Sequence, residues 1–506
     1  MATQMAALRN LTHYRLGFRI AIAAATIGII YGYDLGNISG ALLFITKDFD
    51  LSTKETEWVA TIVVAGSIAG ALVASRLANA IGRKPTMVVV AVTYAAFAIL
   101  SGLATSLVWL DVARFCLGVT IGLSIVTAPI FVAESSPAAV RGGLIVMYQV
   151  ATVTGIVIAY FVDFALSGAE AWRAMLMLSA IPSLAVLALL LRLPDTPRWY
   201  LMKGRRDQAR ETLALTDPDA DTERELDEIE EDLRRERGGS IAEMLRAPYR
   251  RATLFVVGLG FLIQITGINA VVFYSPLIFK DMGFSGNAAL LLLPAIVQVG
   301  SLIATVVSLS VVDRLGRRPT LLAGITAMIA STVLLTVVFA VGDLTGAAGW
   351  LGFVGIFVFT AGDLTGAAGW LGFLGIFVFT AGFNFGFGSL VWVYASESFP
   401  ARLRTTGASA MLTADLVANL IIGLYFLSAL ESLGGTATFA MFAALAVISF
   451  GFVWWLAPET KGRPLEAIRA YWENGGRWPA ETDVATPAPD ADARFTRTGE
   501  RARAPR

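Results

Sequence analysis

The chain has one cysteine, Cys116, and one histidine, His13, in 506 residues. That scarcity rules out an internal disulfide and all but rules out a Cys/His metal centre or a Cys–His catalytic pair. Charge is scarce too: 15% of residues are Asp, Glu, Lys or Arg, against about 25% in soluble domains. No phosphate loop is present, and the basic residues gather at helix ends, so neither a catalytic core nor a nucleic-acid surface is supported. What is present is apolar. Hydrophobic residues make up 56% of the chain, with 48 glycines among the remainder.

Apolar runs near the ~20 residues needed to cross a bilayer recur throughout. They predict helices at 18–44, 57–79, 86–105, 108–133, 143–167 and 172–192, then at 252–279, 288–312, 320–341, 371–395, 405–428 and 436–457. That is an all-α membrane protein with twelve transmembrane helices in two groups of six. The first helix is too long for the apolar core of a cleavable signal peptide, and none is expected. Arg9, Arg15 and Arg19 sit at the start of helix 1, Arg83 and Lys84 after helix 2, Arg141 after helix 4, Arg314, Arg317 and Arg318 after helix 8, and Arg402 and Arg404 after helix 10. The alternate loops hold little beyond Lys47, Lys54 and Lys280. The positive-inside rule then puts both termini in the cytoplasm, with the plasma membrane the expected location.

Three signatures occur twice in the same order. GRKPT at 82–86, AESSPAAVRG at 133–142 and LPDTPRW at 193–199 are matched by GRRPT at 316–320, SESFPARLRT at 396–405 and APETKGR at 457–463. Two copies of one bundle form a common transporter plan, with substrate held between the halves. The expected organisation is a first bundle over 1–192, a linker over 193–251, a second bundle over 252–457 and a tail over 458–506. Opposite charges three to four residues apart in TERELDEIEEDLRRER (222–237) predict short cytoplasmic helices in the linker. The tail after about 478, rich in Ala, Pro, Asp and Arg, is expected to be disordered.

A second kind of repeat interrupts the plan. GDLTGAAGWLGFVGIFVFTA at 342–361 recurs at 362–381, with Val354 replaced by Leu374. Such near-identity points to a recent tandem duplication. The second copy runs directly into Trp392 and Glu397 and is the better tenth helix. A spanning first copy would invert the helices after it and place Arg402 and Arg404 outside, so it is expected in an external loop.

Helix 1 carries Gly28, Gly32, Gly36 and Gly40, a smooth face for close helix packing. Asp34 lies mid-helix, where a charge costs several kcal/mol unless paired. Arg114 in helix 4 is the candidate partner. Glu134 and Arg141 are seven residues apart, as are Glu397 and Arg404, which sets each pair on one helical face.

Together, YGYDLGNISGAL, GRKP, DRLGRRP, the two E-x-x-P-x-x-x-R motifs, PDTPRW, QITGINAVVFYSP and PETKG resemble the sugar porter family of the major facilitator superfamily. The likeness covers about residues 20–470. It implies a major facilitator fold and a carrier of a monosaccharide that works by alternating access, without a cofactor, and a monomer is expected. Its partners would be a small sugar or polyol, protons and the lipid bilayer. Bacterial proton-coupled members have an acid at the Asp34 position facing an Arg in helix 4, whereas animal glucose facilitators have Asn there. The resemblance therefore implies that protonation of Asp34 releases Arg114 during the cycle. It also implies that Glu134, Arg141, Arg198, Asp313, Arg314, Arg317, Glu397, Arg404 and Glu459 form cytoplasmic gating networks between the bundles.

By the same resemblance, sugar hydroxyls meet Gln149, Gln264, Asn269, Tyr274, Trp392, Asn419 and Asp415. Amides suit polyols because each offers donors and an acceptor. The chain departs from the family pattern at several positions. Asn79 and Ala80 stand where Asp and Arg are usual, Ile263 replaces a Gln, Ser301 an Asn and Phe273 a Tyr. Asp415 stands where an uncharged amide is common, and Ser389 replaces a Pro in helix 10. An uncoupled facilitator, a polyol or cyclitol porter, and a non-transporting sugar sensor remain as alternatives.

Overall fold

The computed structural model describes residues 15–135, 138–216, 221–235, 241–341, 367–463 and 465–478. The first copy of the duplication, 342–361, and the tail beyond 478 lie outside them, as do the side chains of Arg141 and Arg404. Every described element is helical. The first half comprises α1 (Arg15–Phe49), α2 (Thr53–Ile81), α3 (Arg83–Gly102), α4 (Leu107–Glu134), α5 (Ala138–Ser167), α6 (Trp172–Leu178) and α7 (Ala180–Leu190). Four short helices follow: α8 (Pro197–Met202), α9 (Arg206–Thr216), α10 (Thr222–Arg235) and α11 (Ile241–Met244). The second half comprises α12 (Arg250–Ile265), α13 (Ile268–Asp281), α14 (Asn287–Leu315), α15 (Arg317–Val341), α16 (Ala367–Phe385), α17 (Phe387–Glu397) and α18 (Ala401–Leu456), and α19 (Leu465–Glu473) comes after it.

Among the described residues, eleven stretches are long and apolar enough to cross a membrane. The last, Thr406–Leu456, has 51 residues, enough for two crossings, and Gly434 breaks its helical geometry at φ 78°, ψ 165°. Counting it twice gives the expected twelve. Three predicted continuous helices are in fact broken. The sixth divides at Ser179 into α6 and α7, the seventh at Thr266–Gly267 into α12 and α13, and the tenth at Gly386 into α16 and α17. Hydropathy runs on through each break, so the apolar pattern alone does not reveal them.

Glycine sets the spacing inside the first half. A Cβ placed on Gly32 of α1 would lie 1.8 Å from the Thr152 carbonyl oxygen of α5, and one on Gly28 2.6 Å from that of Tyr148. Farther along the same seam, Gly36 would meet the Ala159 Cβ. Between α2 and α4 the arrangement is reciprocal: Gly66 and Gly70 approach the carbonyls of Phe115 and Val119, while Gly118 and Gly122 approach those of Val63 and Ser67, all at 2.1 Å from the hypothetical Cβ. Backbone packs on backbone along both seams.

The repeated basic turns have the same local form. Gly82 ends α2 and Gly316 ends α14, with φ of 114° and 105°, values that favour glycine. Across the halves, α5 lies beside α14, α2 beside α18, and α1 beside α13. The α5–α14 and α1–α13 contacts join helices that line a cavity between the halves.

Candidate substrate cavity and charge pairs

A cavity of about 120 Å³ lies between the halves. α1 contributes Tyr31 and α5 contributes Gln149 and Thr152. From the second half come Gln264 on α12, Asn269 on α13, Gln298 on α14, Asn384 on α16, Trp392 on α17 and Asp415 on α18. The break at Gly267 (φ 97°) sits between Gln264 and Asn269, so both amides reach the cavity from separate helix segments. Irregular backbone within a membrane occurs where it lines a cavity. The second break, at Gly386, lies between Asn384 and Trp392. Ser389 donates its hydroxyl to the Asn384 carbonyl at 2.7 Å, which satisfies one acceptor there.

Five of the seven expected contact residues therefore line one space: Gln149, Gln264, Asn269, Trp392 and Asp415. Tyr274 and Asn419 do not. Tyr274 donates its hydroxyl to the Gly423 carbonyl at 2.8 Å and stacks on Phe426 with ring centroids 5.6 Å apart. It packs the second half. Asn419 is buried on α18 outside the lining, and its Oδ1 has no hydrogen-bond partner. Tyr31, Gln298 and Asn384 were not anticipated. A lone amide in an apolar span was the available signal for Gln298 and Asn384.

Asp34 and Arg114 meet in the first half. Asp34 Oδ1 lies 3.7 Å from Arg114 Nη1, and both side chains are buried. That separation exceeds the ~2.7–2.9 Å of a charge-assisted hydrogen bond, and Arg114 Nε has no partner. The pair is Coulombic and loosely held. α1 turns Tyr31 and Leu35 into the cavity while Asp34 points back to α4, so one helix touches both sites.

At the end bearing the basic turns, Glu134 accepts from Arg83 Nε at 2.9 Å and Nη2 at 3.2 Å, and from the Thr196 hydroxyl at 2.7 Å. Arg198 Nε lies 3.8 Å away. Arg83 is itself buried, a role that its place in a basic turn did not reveal. In the second half Asp313 pairs with Arg317 at 3.2 Å, and the Arg314 carbonyl accepts from Lys461 Nζ. Glu459 accepts the backbone N–H groups of Arg317 and Arg318. Glu397 is half-buried beside Thr460, and burial pushes its carboxyl above the usual range.

The networks were expected to join the bundles. Among the described residues these contacts stay within one half and its adjoining segment. Hydrogen bonds that cross between halves among the described residues lie at the opposite end or deep inside. Glu57 accepts from the Ser428 N–H at 2.7 Å and hydroxyl at 2.8 Å, and the Thr53 hydroxyl donates to Glu431 at 2.7 Å. Tyr160 donates to the Val272 carbonyl at 2.7 Å, and Asn287 to that of Ser167 at 3.1 Å. The structure is latched at the end away from the basic turns.

Residues 20–472 match the family described as Sugar (and other) transporter. The chain belongs to that family. It is a sugar porter of the major facilitator superfamily, hence a transporter and not an enzyme. Among relatives, the arabinose-proton symporter of Escherichia coli K12 is 34% identical over 458 residues, covering 90% of this chain and 93% of that one. The galactose-proton symporter of the same strain is 34% identical over 452 residues, covering 89% and 93%. Among solved structures, the inward open conformation of the xylose transporter from E. coli has a TM-score of 0.73 at 24% identity, covering 90% of this chain and 100% of that one. It shows that the family fold extends over nearly the whole chain.

Proposed function

We propose that this sugar porter is a proton-coupled monosaccharide symporter of the plasma membrane, with both termini cytoplasmic. The carrying observation is the joint geometry of α1, which lines the amide-rich cavity with Tyr31 and holds the Asp34–Arg114 pair behind it. Arabinose and galactose proton symporters among its relatives support this reading. With the basic turns on the cytoplasmic side, the latch at Glu57–Ser428 is external, and the conformation faces inward. Protonation of Asp34 removes the attraction that holds Arg114 and lets α1 move with the cavity wall. Reorientation then opens the Glu57–Ser428 latch and closes the cytoplasmic end.

The substrate contacts proposed are Gln149, Gln264, Asn269, Trp392 and Asp415, with Gln298, Asn384 and Tyr31 added. The proposed cytoplasmic gate comprises Glu134, Arg198, Asp313, Arg314, Arg317, Glu397 and Glu459, with Arg141 and Arg404, and Arg83 joins it. Uptake of labelled xylose, glucose, galactose and inositol into energised vesicles, with and without a protonophore, tests the reading. Accumulation that collapses with the protonophore supports symport. Equilibration without accumulation identifies a facilitator.

A further inference from the structure

Among the described residues that line the cavity, Asp415 carries the formal charge, and no Lys or Arg faces it there. The Gln264 side-chain amide faces Asp415, and Gln264 Oε1 is buried without a partner. This corner therefore gathers acceptors: the two carboxylate oxygens and the amide oxygen beside them. A ligand hydroxyl brings one donor and two acceptor lone pairs, so it relieves one oxygen and adds to the surplus. An ammonium brings three donors and no acceptor. The same cavity presents the rings of Trp392 and Phe383 from the second half and Tyr31 from the first. Aromatic faces attract cations, and Tyr31 lies within electrostatic reach of Asp415. Away from that corner, Gln149, Asn269 and Asn384 remain to meet hydroxyls.

We propose that the cavity takes an amino sugar: a monosaccharide whose protonated amine sits on Asp415 and Gln264 Oε1 and whose hydroxyls sit on the other amides. This rests on the reading of the cavity as the sugar site. A carboxylate inside a membrane requires a counter-charge or a proton, and the ligand's own cation supplies the former. The ammonium would lie between elements of the two halves, with Asp415 on α18 and Tyr31 on α1.

The test compares D-glucosamine, D-glucose and N-acetyl-D-glucosamine, whose amide carries no charge. The full-length protein and its Asp415→Asn variant are studied in proteoliposomes for labelled uptake, and in detergent for ligand-induced thermal shift. Glucosamine should exceed glucose by about tenfold or more in kcat/KM, because a buried acceptor left unpaired discriminates strongly. Asp415→Asn should erase that preference and admit glucose, and only the unaltered protein should be stabilised by glucosamine. Equal handling of glucosamine and glucose, or a ratio unchanged by Asp415→Asn, overturns the proposal. No uptake with an Asp415-dependent shift by glucosamine alone would retain the proposed ligand while removing the symport reading. Neither uptake nor shift would overturn both.

Discussion

Glu459 and Arg317 are joined through the main chain. Glu459 Oε1 accepts the Arg317 N–H at 3.0 Å, and its Oε2 accepts that of Arg318 at 3.1 Å. Asp195 does the same in the first half, accepting from the N–H groups of Arg83 at 3.1 Å and Lys84 at 3.2 Å. Each carboxylate lies on the first donors of a spanning helix, which have no partner within the helix and where the dipole favours an anion. The adjoining glycine makes the approach feasible: a Cβ on Gly316 would lie 2.5 Å from Glu459 Oε2, and one on Gly82 2.1 Å from Asp195 Oδ2.

Glu459→Ala should therefore cost about 1.5–3 kcal/mol, the range for hydrogen bonds to a charged group, and Glu459→Gln should recover part of it. Asp195→Ala should behave alike. Thermal unfolding of the solubilised protein measures this, and a silent Asp195→Ala would refute the equivalence of the two turns.

Asp34→Asn should abolish accumulation and spare exchange of substrate down its gradient. At a driving force of about 150 mV one proton supplies roughly 3.5 kcal/mol, or a few hundred-fold accumulation. Retained accumulation by the variant would refute the coupling role of the Asp34–Arg114 pair.

Gly32→Ala should destabilise the first half by at least the ~1–3 kcal/mol usual for overpacking, since the added carbon would meet the Thr152 carbonyl oxygen at 1.8 Å. Gly451→Ala, whose added carbon would meet nothing within 4 Å, serves as a control, and melting temperatures with expression yields compare the two.

Glu57→Gln should weaken the latch on Ser428 and shift the protein toward the opposite-facing state. Loss of about 1.5 kcal/mol corresponds to roughly a tenfold change in population. Thiol labelling of a Thr152→Cys variant from each side reads the shift, with Cys116, the chain's one native thiol, replaced beforehand. Unchanged accessibility would exclude Glu57 as a latch.

The linker should loosen in acid. Hydrogen bonds from Arg210 and Arg206 hold the Glu223 carboxyl below its ordinary 4.5. A depressed carboxyl contributes stability above its unfolded value and loses it as pH falls through the folded one. Hydrogen exchange over α9 and α10 should therefore quicken below about pH 4.5 and not between neutral and mildly acidic pH.

The repeated motifs and apolar runs made the twelve-helix plan legible, and five of the residues that the family resemblance pointed to line the cavity. Tyr274 and Asn419 lie outside the lining, for geometric reasons. Tyr274 is five residues beyond Asn269, about 140° around the helix at ~100° per residue, and so turns from the cavity into the second half. Asn419 shares a face with Asp415 but sits about 6 Å farther along α18, beyond the lining. Arg83 was read as a topogenic charge because nothing in GRKPT reveals that its side chain folds inward onto Glu134. The helix breaks at Gly267 and Gly386 were hidden by uninterrupted hydropathy, although they deliver Gln264, Asn269, Asn384 and Trp392.

The glycine seams also divide the molecule by its tolerance of change. Along α1–α5 and α2–α4, where carbonyls meet glycines without an intervening side chain, almost any replacement is a collision. The cavity wall is built otherwise, from side chains: even where Thr152 belongs to both, its carbonyl faces the Gly32 seam and its side chain is a wall position. Selection can therefore exchange the wall residues while the scaffold stays fixed. Ile263 and Asp415, both in the cavity wall, are two such departures from the family pattern, and new specificities should be sought among wall positions and not in the seams.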